Sequence, residues 1–486
     1  MNIILCIIDT LRYDYIHAAG INSWIKTPNI DRLARKSLMF DRAFTASYPT
    51  IPHRTDVITG DYAWEGHGPF HPWMPLRFNT PTLPRILAQA GYATQLIHDT
   101  PHLVNGGHAF DWPFSAWTFI RGAEVDRPWI DDKGLTWLAN WKRDPIFDYI
   151  DDAELTGATR RLLLTYTRTH RLRSNPEDWN VARLFTRAAD FLMDNRNRKN
   201  FFLWLDCFDP HEPWDSPPDY VKTYDNTPGY DGFIDPRAFS PKARRPKDGE
   251  LPPGVHQRQL ALYAAKVSWM DHWFGRVLDT LDATGLMENT AIVFTADHGT
   301  NLGERGGFGK TGIVNEQEAH VPLLVYAPDL EPGRNNSFIQ PQDIFTTVLG
   351  LAGINHADPS PGSDIIANQG TSRSLAIGGP SINSWQGDPR QIVMTLFDEG
   401  WYLNIAADPA ACRLYQYGAV ENMASENMGI VMQLRDKAWH ELSQRATHPA
   451  VIDWLRSGGA TQFRDAWSAW IGPENWTTYW ERVYEE

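Results

Sequence analysis

The sequence predicts an α/β protein with a large, mixed but mostly parallel central sheet, helices on both faces and a small C-terminal subdomain holding a short antiparallel sheet. Three observations carry this. Short continuous apolar runs alternate with segments of helical period, the runs lack the polar alternation of a half-exposed strand, and the pattern changes style after about residue 390.

Ile3 to Ile8 is uninterrupted apolar sequence, as a strand buried on both faces should be. Asn29–Lys36 and Thr82–Ala90 read as helices, and Tyr92–Ile97 and Phe201–Leu205 as further strands. Arg258 to Leu281 is the clearest helix, with Val267, Met270, Phe274, Val277, Leu278 and Leu281 on one face. Ala291–Thr295 and Val321–Tyr326 are strand-like again. Three zones read as irregular: 101–178, dense in Trp, Arg and Asp; 215–257, rich in Pro, Gly and Lys; and 327–390, Pro/Gly/Ser-rich around one short helix near Ile344–Leu351. Ile392–Phe397, Trp401–Ile405 and Arg413–Tyr417 suggest an antiparallel meander, followed by helix from Met428 onward. The expected domains are therefore 1–390, with 101–178 inserted over one end of the sheet, and 391–486.

The chain has 486 residues, of which 42% are apolar and 21% charged, enough for a sizeable core and against disorder. Its 45 basic and 59 acidic side chains leave a formal charge of −14. That balance, without a basic stripe, argues against a nucleic-acid partner. No run reaches the ~18 apolar residues of a membrane span, so no membrane partner is expected. MNIILCIID at the N-terminus reads as a buried strand rather than a signal peptide. Cys6, Cys207 and Cys412 cannot build a disulfide framework, and a reducing cytoplasm suits them.

Ligands of open α/β sheets bind beyond the carboxyl ends of the strands. Asp9 follows IILCII and Asp297 follows AIVFTA, with His298 beside it. Either aspartate alone would be an ordinary helix cap, but together with a histidine they suit a divalent cation. In Ser47–Gly60, SYPTIPHRTDVITG, Thr50 stands at a helix start and Arg54 one turn later on the same face. A threonine hydroxyl needs a metal or base to become a nucleophile, and Arg54 offers a fork for a tetrahedral anion. Asp209-Pro210-His211-Glu212-Pro213-Trp214 forms a rigid loop after FFLWL, and Lys310 closes a Gly-rich stretch. Singly, His211 reads equally well as a loop histidine and Lys310 as a solvated charge.

Taken together, these pieces resemble the sulfatase branch of the alkaline phosphatase superfamily. The resemblance runs through DTLRYDY (Asp9–Tyr15), TPNIDRLA (Thr27–Ala34), GYATQLI (Gly91–Ile97), DPHEPW (Asp209–Trp214), VSWMDHWFGRVLDTL, ADHGTNLGERGGFGK (Ala296–Lys310) and EAHVPLLV (Glu318–Val325). It implies an alkaline phosphatase-like sandwich and hydrolysis of a small anionic phosphate or sulfate ester. The family's nucleophile motif is Cys or Ser, any residue, Pro, Ser, Arg, two residues, Leu, any, Thr, Gly. Here the frame is kept from Thr50 to Gly60, with threonine at the nucleophile position and His53 at the serine position. Sulfatases oxidise that Cys or Ser to formylglycine. Threonine would give a ketone, so Thr50 is expected to stay unmodified, as in related phosphorus-ester enzymes that pass through a phospho-threonine.

The resemblance implies Asp9, Thr50, Asp297 and His298 as ligands of one divalent ion. Thr10 stands where the family has a second acid, and His298 replaces an amide. Fewer hard oxygens and one imidazole favour Mn²⁺ or Zn²⁺ over Ca²⁺. Arg54 and Lys310 would hold the non-bridging oxygens, and His211 would serve as general acid for the leaving group. The family's Lys-x-His after GYxT is absent, which leaves Thr100 and His102 as candidates for substrate contact. Losing that lysine favours a singly charged phosphodiester or phosphonate monoester. A second metal would need another Asp/His set, of which Asp209, His211 and His320 could provide part, but DPHEPW matches the one-metal branch; His320 reads better as a packed histidine, and His53 as structural.

The expected function is thus a metal-dependent phosphodiesterase or phosphonate monoesterase acting through Thr50. The alternatives are a sulfuric-ester hydrolase working without formylglycine and an inactive family member kept as a binding protein. Trp112, Trp117, Trp129, Trp137 and Trp141 read either as a wall for the leaving group or as packing of the insertion, and exposed aromatics there would suit contact between copies of the chain.

Overall fold

The structure is a computed structural model. It describes residues 1–66, 75–104, 108–123, 126, 141–152, 170–171, 173–244, 251–310, 312–355, 360–371, 373–379, 388–444, 452–453 and 456–458. Trp129, Trp137 and the end of the C-terminal segment therefore lie outside the described residues.

Among the described residues the central sheet has eight strands: β1 (Asn2–Ile8), β2 (Leu38–Ala43), β3 (Ala93–His98), β4 (Ala116–Phe119), β5 (Phe201–Cys207), β6 (Thr290–Ala296), β9 (Leu323–Tyr326) and β10 (Gly333–Ile339). A two-stranded hairpin, β7 (Asn301–Leu302) and β8 (Phe308–Gly309), lies between β6 and β9 in the chain. The order across the large sheet is β10-β2-β9-β6-β1-β5-β3-β4. All pairings are parallel except those of β9 with β2 and with β6. Every residue of β1, β5 and β6 is buried. Because successive side chains point to opposite faces, both faces of the sheet centre are covered, which is why these strands read as unbroken apolar runs.

Helices cover the sheet in two groups. The long helix Val255–Thr284 packs with Asn180–Asp194 and Pro28–Ala34, while Thr50–Thr59 packs with Pro341–Leu351 and Leu83–Gln89. Asp271 of the long helix caps its neighbour: its carboxylate accepts from the Asn29 and Ile30 amides at 3.1 and 2.7 Å. These amides are otherwise the orphan donors of a helix start. Thr50–Thr59 ends at Gly60, whose φ of 75° supplies the left-handed C-terminal residue. The same glycine lies under Phe345 of the helix Pro341–Leu351, where a Cβ would meet the ring at 2.5 Å.

The second sheet is antiparallel, β11 (Ala376–Gly378), β12 (Ile392–Phe397), β13 (Tyr402–Ala406) and β14 (Arg413–Tyr415), with the helix Met428–Gln444 packed on β12 and β13. Its first strand thus precedes residue 390. Phe44, Tyr48, Phe338, Phe397, Tyr402 and Tyr415 form an apolar seam between the two sheets.

Several elements differ from the sequence reading. The zone 327–390 contains β10, whose GRNNSFI is polar because it is an edge strand with exposed positions. The segment 215–257 holds a short helix, Pro218–Lys222, and the long helix starts at Val255 rather than Arg258. Among the described residues of the insertion, Trp117 is exposed on the edge strand β4, Trp112 packs at a tilt against Phe78, and Trp141 packs on the main core.

Candidate active site

Three adjacent strands deliver three aspartates to one place. β6, β1 and β5 run parallel side by side, and Asp297 and Asp9 leave the ends of the first two while Asp206 is the penultimate residue of the third. All three are fully buried. The register pairs Ile8 with Ala296 and Ile7 with Asp206, so the carboxylates converge.

Arg54, also fully buried, sits among them and engages all five of its N–H donors. Nε and Nη2 donate to Asp206 at 2.8 and 2.9 Å, Nη1 to Asp297 at 2.6 Å, Nη2 to Asp9 at 3.2 Å, and Nη1 to the Thr50 carbonyl at 3.1 Å. The neighbouring carboxylates hold its charge against the burial that would remove it. The expectation that Arg54 binds the ester anion is corrected by this geometry: as the side chain stands it has no donor left for a substrate oxygen. It ties the start of the helix Thr50–Thr59 to the strand ends instead.

Asp9, Asp297 and His298 bring ligand atoms within 4.8 Å of one another. His298 Nδ1 lies 2.8 Å from the Gly299 carbonyl, which only accepts, so Nδ1 carries the hydrogen and Nε2 the lone pair. Among the described residues that Nε2 is buried without a hydrogen-bond partner, 3.5 Å from Asp297 Oδ2 and 3.9 Å from Asp9 Oδ1. Burial holds the ring's pKa down to about 4 against the pull of Asp297, so it is neutral. Three acceptors facing one another in a dry site fit a divalent cation. Asp9 is pushed up to about 7, first by burial and then by the Asp297 charge. Asp297 goes the other way: burial would raise it, but the Arg54 guanidinium and the Thr10 amide hold it well below the usual carboxylate range.

Thr10 orients both carboxylates. Its amide donates to Asp297 Oδ1 at 2.9 Å and its hydroxyl to Asp9 Oδ1 at 2.7 Å. To do so it adopts φ 64°, a strained conformation for a β-branched residue. Thr50 is the first residue of its helix and 2% exposed. His53 is buried and bonded to the Thr45 hydroxyl at 3.1 Å.

A second cluster adjoins. His211 stacks on Phe208, its Nδ1 donates to the Glu212 carbonyl at 2.7 Å, and its Nε2 lies 2.8 Å from Lys310 Nζ. Lys310 and Arg244 both donate to the Glu212 carboxylate, at 3.2 and 2.6 Å. Burial would raise Glu212, but Lys310, His211 and Arg244 hold it well below the usual range. His102 lies among the same charges. Burial lowers it to about 3, helped by His211, His108, Arg54 and Lys310.

Thr100, expected beside His102 at the substrate, is fully buried and donates its hydroxyl to Asp206 at 2.5 Å. Its place is behind the aspartates, because β3 lies beside β5 with His98 opposite Asp206, two residues before Thr100. Asp209 is engaged by Lys266 at 3.0 Å. His320 is sandwiched between Tyr13 and Phe44 and bonded to the Asp41 carbonyl, a packed histidine. Sequence reasoning missed Asp206 and the roles of Thr10, Glu212 and Arg244. Only Asp206 left a signal, as a charge inside the apolar strand FFLWLDC.

The sulfatase family profile matches residues 1–354. The chain belongs to the sulfatase family. The multifunctional alkaline phosphatase superfamily protein PehA of Trinickia caryophylli is 26% identical over 399 residues, covering 72% of this chain and 74% of that protein. An arylsulfatase of Clostridium perfringens is 27% identical over 377 residues, covering 74% and 76%. Among solved structures, the phosphonate monoester hydrolase of Agrobacterium radiobacter superposes with a TM-score of 0.66 at 19% identity, covering 92% of this chain and 97% of that one. The fold is that of sulfatases and their alkaline phosphatase superfamily relatives, and this family member is a hydrolase. Among the described residues no helix is long and apolar enough to cross a membrane.

Proposed function

We propose that this sulfatase-family hydrolase cleaves a singly charged phosphorus ester, a phosphodiester or phosphonate monoester, with unmodified Thr50 as nucleophile. The observation that carries the reading is a threonine at the family's nucleophile position, tied through Arg54 to the Asp9–Asp297 pair. Asp9, Asp297, His298 and Thr50 would hold one divalent ion. The imidazole lone pair and the two carboxylates, without a third acid at Thr10, favour Mn²⁺ or Zn²⁺ over Ca²⁺. When bound, that ion supplies Lewis acidity that lowers the proton affinity of a hydroxyl and neutralises charge on the transferred group.

The chain's own groups do the rest. The first turn of the helix Thr50–Thr59 presents a positive field to the entering anion. Thr50 Oγ1 bonds to phosphorus as the ester oxygen departs. In that step the Thr50 proton leaves to solvent while the Lys310–His211 pair, joined at 2.8 Å, holds a non-bridging oxygen and gives a proton to the leaving oxygen, and the water that then hydrolyses the phospho-threonine restores the protons of the pair and of Thr50. His102 is a neutral neighbour suited to substrate contact.

Charge supports the substrate class. Arg54 is engaged by carboxylates, and Lys310 shares Glu212 with Arg244, so little positive charge is left over for a phosphate dianion. A sulfate monoester is also a monoanion, and the arylsulfatase relative keeps sulfuric-ester hydrolysis without formylglycine as the second reading. The three buried free thiols suit a reducing cytoplasm.

The test is a set of initial rates on purified, Mn²⁺-loaded protein with bis(p-nitrophenyl) phosphate, p-nitrophenyl phenylphosphonate, p-nitrophenyl phosphate and p-nitrophenyl sulfate. A diester or phosphonate should lead, Thr50→Ala should abolish turnover, and intact mass should show an unmodified chain. A lead for the sulfate would overturn the phosphorus assignment.

A further inference from the structure

Asp206 has no role in the reading above, yet it makes the closest two-point contact with Arg54. Its two oxygens take Nε and Nη2 at 2.8 and 2.9 Å, the fork-to-fork geometry that fixes a guanidinium plane. The other edge of that plane meets Asp297 at 2.6 Å and Asp9 at 3.2 Å. Asp206 is itself held from behind: the Thr100 hydroxyl donates to Oδ1 at 2.5 Å and the Trp204 indole to Oδ2 at 3.1 Å. A chain of contacts therefore runs from Thr100 and Trp204 through Asp206 and Arg54 to the two carboxylates among the four proposed cation ligands. Every member is fully buried or nearly so, which leaves no solvent to substitute for a lost contact.

We infer that Asp206 is a positioning residue: by orienting Arg54 it sets the separation of Asp9 and Asp297, and through that separation the affinity of the cation site. The inference rests on the proposed cation site at Asp9, Asp297 and His298. It also gives Thr100 a place in the cation site's support rather than in substrate binding. Groups that orient ligands from behind are worth on the order of 10–100-fold in metal affinity. Asp206 does not touch the ion, so its loss should weaken binding without abolishing it.

The experiment is calorimetric titration of Mn²⁺ into metal-stripped full-length protein, with steady-state kinetics at saturating Mn²⁺. Four proteins are compared: the unaltered chain, Asp297→Ala, Asp206→Asn and Thr100→Val. Asp297→Ala should lose binding. Asp206→Asn should weaken it about 10–100-fold. Thr100→Val, nearly isosteric and the milder of the two changes, should fold and should weaken Mn²⁺ binding several-fold while KM for the ester stays unchanged once the ion saturates. Unaltered Mn²⁺ affinity in Asp206→Asn, or a raised KM with unaltered affinity in Thr100→Val, would overturn the inference and leave the cation site standing. Failure of the unaltered chain to bind more tightly than Asp297→Ala would overturn both.

Discussion

Cation binding should release a proton, and the pH at which it does so follows from Asp9. In the ion-free site this carboxyl is raised to about 7 by burial and by the Asp297 charge beside it. His298 is neutral above about pH 5 because burial holds it near 4, so it contributes no proton in the working range. A ligand must be deprotonated to bind, so below pH 7 each further unit weakens the apparent affinity about tenfold, or about 1.4 kcal/mol. At pH 6 about nine sites in ten carry the proton, and each ion bound should expel about 0.9 of one, falling to about 0.1 at pH 8. The sign for stability follows from the raised value. A carboxyl whose folded pKa exceeds its unfolded one contributes stability below the unfolded pKa that is lost as pH rises through the folded one. Relative to the loaded protein, in which the buried histidines His53, His98, His102, His170 and His320 act alike, the stripped protein should therefore gain stability on acidification from pH 8 toward 5. Asp297, held low, loses its contribution only below that window. Asp56 and Asp271, raised by burial to about 8 and about 7, act alike in stripped and loaded protein and cancel in the difference. Titration of Mn²⁺ in two buffers of different ionisation enthalpy counts the protons. The same release at pH 6 and pH 8, or none at pH 6, would refute the assignment of Asp9 as a ligand in a dry two-carboxylate site.

Three other perturbations test neighbouring features. Thr10→Asp restores the acid that the family usually carries and should raise Ca²⁺ affinity relative to Mn²⁺ by about tenfold, read by competition calorimetry; an unchanged ratio would separate position 10 from metal choice. Glu212→Gln removes the carboxylate shared by Lys310 and Arg244, so kcat/KM for p-nitrophenyl phosphate should rise relative to the diester, whereas a constant ratio would sink the charge argument. Gly60→Ala forces a Cβ to within 2.5 Å of Phe345 at φ 75°, and should destabilise the protein by about 2–4 kcal/mol in a denaturant melt, with a loss under 1 kcal/mol counting against the packing described.

The sheet centre was legible because β1, β5 and β6 are buried on both faces and must be apolar throughout. The edge strand β10 was not, since its GRNNSFI answers to solvent rather than to a core. The hairpin β7–β8 has only two residues in each strand, too short for any period to show. At the site, residues that end strands or start the helix (Asp9, Asp297, Thr50) could be placed by counting, because their position depends on local structure. Thr100 was misplaced and Asp206 overlooked for the opposite reason. Their partners are 106 and 152 positions away in the chain, and only the pairing of β3 with β5 and the packing of one helix bring them together. Arg54 shows the limit most clearly: its location was readable, but which anions would occupy it depended on three strands at once.

That occupancy bears on why the proposed metal-assisted threonine is a coherent design. Asp9, Asp206 and Asp297 bring three carboxylates to a volume from which solvent is excluded, and Arg54 returns a single positive charge. Charges left unbalanced in such a place are severely destabilising unless paired or protonated. The protonation of Asp9 is the ion-free answer, and one divalent ion is the loaded answer, since it balances the remaining two negative charges. On the proposed reading this leaves the loaded site near neutral, with Lys310 and Arg244 against Glu212 supplying the surplus positive charge next to it. A monoanionic ester completes that balance and a dianion overshoots it. The same near-neutral setting spares the Thr50 hydroxyl a nearby uncompensated carboxylate, which would otherwise oppose its ionisation.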